Sequence, residues 1–184
     1  MRDQSISLKS VYELRIDDSD QSIRYRIPAY QRGFRWTSRQ VEQLLEDIRD
    51  FVRRENPQPE QFYCLQPLVL RPTDNGAYEV VDGQQRLTTL LLILQHFNER
   101  LAERYRQRLY TLEYETRPSL LQFLDDPTED RATSNIDFFH IAEAIKTIET
   151  WFEQRESEVE KIKDAFQNQA KLIWYPENRI KRTL

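Results

Sequence analysis

Two short clusters hold the residues best suited to chemistry. The first is Asp82-Gly83-Gln84-Gln85-Arg86, entered from Val80-Val81 and followed by Leu87-Thr88-Thr89-Leu90. A carboxylate, two amides and a guanidinium stand within five residues, around one of only three glycines in the chain. Glycine permits positive φ and lets a ligand approach the backbone closely. The apolar run after it predicts a helix whose unpaired N–H groups and positive dipole end favour an anion such as phosphate. An aspartate at the carboxyl end of a strand, Asp82 here, is suited to hold Mg²⁺ with one or two carboxylate bonds and several waters. The structural alternative is a helix cap, with Asp82 accepting from backbone N–H groups and Arg86 as its ion-pair partner. Paired glutamines gain nothing as cap residues, which favours the ligand reading.

The second cluster is Tyr30-Gln31-Arg32, inside Ile27-Pro28-Ala29-Tyr30-Gln31-Arg32-Gly33-Phe34-Arg35-Trp36. From Arg24 to Arg39 there are five arginines (Arg24, Arg26, Arg32, Arg35, Arg39) and no acid, interleaved with Tyr25, Tyr30, Phe34 and Trp36. Arginine between aromatics suits contact with phosphates or bases. It equally suits a solvated loop whose rings anchor it to a core through packing and cation–π contacts.

The elements that must position these clusters follow from periodicity. Ser7 to Leu14 reads as a short helix, and Arg24 to Ile27 as a strand closed by Pro28. Thr37 and Gln40 fit a capping box, and Val41, Leu44, Leu45, Ile48, Phe51 and Val52 recur at helical spacing to about Arg54. Phe62 to Leu70 is an apolar strand in which Pro67 predicts an edge or a bulge. Asp74-Asn75-Gly76 is a hairpin turn, and Tyr78 to Val81 is the returning strand that delivers Asp82. The helix after Gly83 is expected to reach about Arg106, buried all round in its first turns. Leu109 to Glu115 alternates as a strand, with Tyr110, Leu112 and Tyr114 on one side. Pro118 to Leu124 is a short helix, Asp125 to Ser134 a polar loop, and Asp137 to Gln154 an amphipathic helix. Ser157-Glu158-Val159-Glu160 reads as a second capping box, opening a helix to about Gln169, and Lys171 to Tyr175 as a strand.

The fold class is α+β: a small mixed sheet with helices over residues 1–116, then a helical extension over 117–184. A strand followed by Asn178-Arg179-Ile180-Lys181-Arg182 is expected to lead into more structure. Composition narrows the function classes. Hydrophobic residues make up 39% and charged residues 32%, as in a soluble globular protein, and the net charge of −4 argues against a generally basic nucleic-acid coat. The single cysteine, Cys64, excludes an internal disulfide and a Cys-rich zinc site, and its apolar neighbours predict a buried thiol. No signal peptide or membrane-length apolar run is present, so a cytoplasmic location is expected. A GxxxxGK[ST] loop and a GxSxG elbow are absent, and His96 and His140 stand alone on helices.

Ile27-Pro28-x-Tyr30-Gln31-Arg32, Trp36, Leu44-Leu45-x-Asp47-Ile48 and Val81-Asp82-Gly83-Gln84-Gln85-Arg86-Leu87-Thr88-Thr89-Leu90 together resemble the N-terminal domain of GmrSD-type restriction endonucleases. The resemblance continues through Leu112–Arg117, Asn135–His140 and Ile173–Tyr175. It implies a ParB/sulfiredoxin-like core and a Mg²⁺-dependent nucleoside triphosphatase acting on GTP or ATP. It also implies service to a bacterial anti-phage system that restricts modified phage DNA, with a nuclease domain or subunit in cis or trans. By similarity, Asp82, Gln84, Gln85 and Arg86 match the hydrolysis motif, with Asp82 as metal ligand. Tyr30, Gln31, Arg32, Gly83 and Arg35 would bind the nucleotide phosphates. DNA cleavage by this chain alone is not expected, because the family's His-containing nuclease domain is missing from it. The alternative is a non-catalytic module that reads DNA through residues 24–39.

Overall fold

A computed structural model describes residues 5–54, 58, 60–120, 123 and 136–177. The fold is α+β, with one six-stranded mixed sheet and four α-helices assigned among the described residues. The strands are β1 (Ser7–Ser10), β2 (Arg24–Ile27), β3 (Tyr63–Pro72), β4 (Tyr78–Asp82), β5 (Thr111–Tyr114) and β6 (Ala170–Pro176). The helices are α1 (Ser38–Val52), α2 (Gln84–Glu99), α3 (Ile136–Glu153) and α4 (Val159–Asp164). In space the strands run β1-β6-β3-β4-β2-β5. The β1–β6 and β3–β4 pairs are antiparallel; β3–β6, β2–β4 and β2–β5 are parallel.

The Asp74-Asn75-Gly76 signal does make the β3–β4 turn, with Gly76 at φ 89°. Pro67 does not mark an edge, since β3 lies between β6 and β4. It marks a bulge: the β3–β6 register shifts between Leu65 and Leu68. A proline cannot donate to the ladder, so the strand bends there and leaves the Gln66 and Pro67 carbonyls for another partner.

The expected helix over Ser7 to Leu14 differs more. Ser7–Ser10 is a strand paired with β6, and only Tyr12–Leu14 turns, as a 3₁₀ turn. Alternation of small polar and apolar residues in Ser-Leu-Lys-Ser served pairing, not a helix face. The helix from Gly83 stops at Glu99, after which Glu103–Tyr105 forms a separate 3₁₀ turn. Ser157 caps no helix: Glu156–Glu158 is a 3₁₀ turn, α4 starts with no side-chain cap, and Ala165–Gln169 widens into a π turn. Glu158 is instead taken by Arg49 and Arg53 of the α1 end, at 2.9 and 2.8 Å.

The last strand alters the expected division of the chain. Segment 117–184 is not simply a helical extension, because β6 lies between β1 and β3 in the interior of the sheet. Leu172 and Trp174 of β6 join Tyr25, Leu70 and Val80 in one buried core. The expected loop at 125–134 and the end of the short helix from Pro118 lie outside the described residues, as do Asn178–Arg182.

α2 sits in that core, and Leu87 through Leu94 are all buried. Two tyrosines of the β5 strand region fix its depth. Tyr110 donates its hydroxyl to the Leu87 carbonyl at 2.5 Å, and Tyr114 shares a hydrogen bond with Thr88 at 2.8 Å. α3 packs against both α1 and α2.

Candidate functional site

β4 ends at Asp82, and Gly83 then turns the chain into α2 at φ 98°. That conformation is costly for any residue with a side chain. A Cβ on Gly83 would also stand 2.9 Å from Leu68 Cδ1 and 3.4 Å from the Pro67 carbonyl. Gly83 occupies the N-cap position and no side chain caps the helix. Asp82 is exposed, with neither a side-chain hydrogen bond nor an ion pair to Arg86 among the described residues. The cap-and-ion-pair alternative therefore does not hold here.

The loop after β2 closes over this junction through three glutamines. Gln31 donates its amide to the Val80 and Val81 carbonyls, at 2.7 and 2.8 Å. Gln84 donates to the Arg32 carbonyl at 2.8 Å. Gln85 donates to the Gly33 carbonyl at 2.9 Å and accepts from the Arg35 N–H at 2.7 Å. The two sequence clusters are thus brought together, backbone to side chain. The geometry gives Gln84 and Gln85 a structural duty. Their amide nitrogens donate to loop carbonyls, so both side chains position the loop. Gln84 Oε1 is buried and has no partner.

The cations divide into engaged and open. Arg35 pairs with Asp137, and Arg117 grips the other oxygen of the same carboxylate. Asp137 is 1% exposed and sits in the first turn of α3. Gly33 leaves the room this needs, since a Cβ there would run into the Asp137 carboxylate. Arg35, expected to bind phosphate, is engaged in this ion pair. Arg86 bridges the turn to the β3 bulge, donating Nη1 to the Gln66 and Pro67 carbonyls at 3.1 and 3.0 Å. Its Nη2 donates to Gln66 Oε1 at 2.5 Å. Burial lowers its pKa, opposed by Asp82 and Tyr63. Tyr30 (68% exposed) and Arg32 remain at the surface.

The histidines play no part in this arrangement. His96 stacks on Phe152 at 5.0 Å between ring centroids, and burial pushes its pKa down to about 4. Cys64, expected to be buried, is exposed. It falls on the outward phase of β3, where the strand extends past the end of β4. Among the described residues no group of three or more His, Cys, Asp or Glu could hold a metal ion. One carboxylate suffices for Mg²⁺ where phosphates and waters complete its shell, and Asp82, unencumbered at the strand end, fits that role.

A comparison with protein families adds a decisive observation: the model of the GmrSD restriction endonuclease N-terminal domain matches residues 11–181. The chain belongs to that family. No curated protein matches it. Membership gives this GmrSD N-terminal domain a role in a restriction system, with DNA and a nuclease as partners of that system. No described helix is long and apolar enough to cross a membrane.

Sequence reasoning did not single out Asp137 and Arg117 as partners of the Arg35 loop. The signal was present in α3: Asp137, Ile141, Ala144 and Ile148 form one buried stripe, and an acid on such a stripe requires a cationic partner.

Proposed function

We propose that this GmrSD N-terminal domain binds and hydrolyses a nucleoside triphosphate, GTP or ATP, at the crossing of the Pro28–Trp36 loop over the start of α2. The reading serves a system that restricts modified phage DNA. One observation carries it: three glutamine amides hold the Tyr30–Arg32 loop against an uncapped helix N-terminus, with Asp82, Arg32 and Tyr30 exposed on the two joined segments.

Each residue then has a distinct duty. The first N–H groups of α2 and the dipole end behind them receive phosphate oxygens. Gly83 supplies the left-handed turn that starts the helix there. Arg32 neutralises charge that grows on the phosphoryl oxygens, the help such transfers need most. Tyr30 covers the phosphates from the loop side. Asp82 would hold Mg²⁺ with phosphate oxygens and waters, and the ion would supply further charge neutralisation. Gln31, Gln84 and Gln85 keep the loop in place, and Arg35 does so from its other end through Asp137. Arg86 fixes the bulge of β3 beside the turn.

The DNA-reading alternative draws less support. Of the five arginines between 24 and 39, Arg26 is paired with Glu115 and Arg35 with Asp137. Arg24 is turned to the Asn75 carbonyl. The basic stretch is largely spent within the protein.

The test is phosphate release from GTP and ATP, with and without Mg²⁺, by the purified chain and by Asp82→Ala and Arg32→Ala. Turnover should require Mg²⁺ and fall at least about a hundredfold in both variants, the scale of losing one charge-stabilising group. Circular dichroism should be unchanged. Parent-like turnover in both folded variants would refute the assignment.

A further inference from the structure

Beside the phosphate-facing turn lies a cleft of about 380 Å³, bounded by α1, the protruding end of β3 and Arg86. We propose that this cleft is the base subsite of the nucleotide site, taking the planar heterocycle whose phosphates rest at Gly83. The proposal rests on the phosphate reading given above and deepens it.

Four features support it. The cleft is contiguous with the turn: Arg86 Nη1, in its wall, lies 3.3 Å from where a Gly83 Cβ would stand. Its volume falls in the lower part of the range of small-molecule pockets, roughly 300–1,000 Å³. Trp36 and Tyr63 both line it, each partly buried against the core, and such rings are the usual platforms for bases. Asp47 supplies an edge contact. Tyr63 donates its hydroxyl to Asp47 Oδ2 at 3.0 Å, which fixes the carboxylate and leaves Oδ1 to accept from a base N–H. Burial, reinforced by Asp47, pushes the Tyr63 hydroxyl up to about 12, so it stays a donor across the physiological range. Arg86 keeps Nε and one Nη2 hydrogen after its bonds to the bulge, enough to meet a ribose or phosphate oxygen.

Cys64 makes the proposal measurable. It is the only cysteine of the chain, it is exposed, and it lines this cleft. The intact chain is treated with an aromatic disulfide reagent in the presence of Mg²⁺ and GTP, ATP or inorganic tripolyphosphate, with affinities measured by calorimetry. At ligand ten times its Kd, a nucleotide should slow modification about tenfold, following fractional occupancy. Tripolyphosphate, which has no base, should bind and leave the rate unchanged. Asp47→Asn should weaken both nucleotides by about tenfold, the scale of one hydrogen bond to a charged group, and leave tripolyphosphate affinity as in the parent. Nucleotide binding without protection, or equal protection by tripolyphosphate, overturns the base subsite and leaves the phosphate site standing. An unweakened Asp47→Asn removes Asp47 as the base contact and overturns the proposal as stated. Failure of all three ligands to bind overturns both readings.

Discussion

Replacing Asp137 by asparagine is the sharpest perturbation the fold offers. The side chain is 1% exposed, and its two oxygens are held separately by Arg35 and Arg117. Asparagine keeps the volume and removes the charge, so two guanidiniums lose their common counter-ion. Breaking a fully buried pair from one side costs about 3–5 kcal/mol. Here the arginines are 30% and 26% exposed. Water recovers part of that loss, which brings the expected cost to about 2–4 kcal/mol. For a chain of this size each kcal/mol corresponds to about 2–4 °C, so Tm should fall by roughly 5–15 °C. Urea unfolding with an unchanged m-value gives the same quantity at room temperature. A cycle with Arg35→Met separates the carboxylate from the loop it holds, and a coupling of at least about 1 kcal/mol is expected for residues in one ion-paired network. An Asp137→Asn variant within about 1 kcal/mol of the parent would show that the carboxylate is not what ties α3 to the Gly33–Arg35 loop.

Two further outcomes follow from residues beside the site. Gly83→Ala should destabilise by about 1–3 kcal/mol through the left-handed backbone alone. The contact with Leu68 adds to that cost, and an unchanged urea midpoint would show that the turn relaxes. The hydrogen bond from Arg49, opposed by partial burial and aided by Arg53, lowers the Glu158 carboxyl from 4.5 to about 2. Its folded pKa is depressed, so its stabilisation is present above about pH 4.5 and is lost as pH falls towards 2. Glu158→Gln should lower Tm at neutral pH and flatten the parent's decline across that window. Parallel Tm–pH curves for parent and variant would count against the clamp.

Much of the fold was legible because it rests on short-range pattern. The Thr37–Gln40 box does open α1, with the Thr37 N–H donating to Gln40 Oε1 at 2.8 Å. The Asn75-Gly76 turn and the alternation of Tyr110, Leu112 and Tyr114 were equally local signals. Ser7–Ser10 was not legible as a strand, because its partner Lys171–Trp174 lies at the other end of the chain. No local propensity reports such a pairing. At the site, the nearness of the Tyr30 and Asp82 clusters was implied by the family resemblance, and hydrogen bonds join them. The duties within them were not readable from residue types. An amide beside a glycine turn can bind a ligand or a backbone carbonyl with equal chemistry, and only the position of the loop decides. That is why Gln84 and Gln85 became loop anchors and Arg35 a clamp for Asp137.

The place of β6 has a consequence for biosynthesis. A ribosome releases β3, β4 and α2 well before Ala170–Pro176 emerges, and in the finished sheet that last strand fills the gap between β1 and β3. Until it arrives, one flank of β3 offers unpaired backbone groups, the kind of open border that invites neighbouring chains. Removing residues after 169 would therefore not trim an accessory. It would strand β1 and unbutton the bulge against which Arg86 rests.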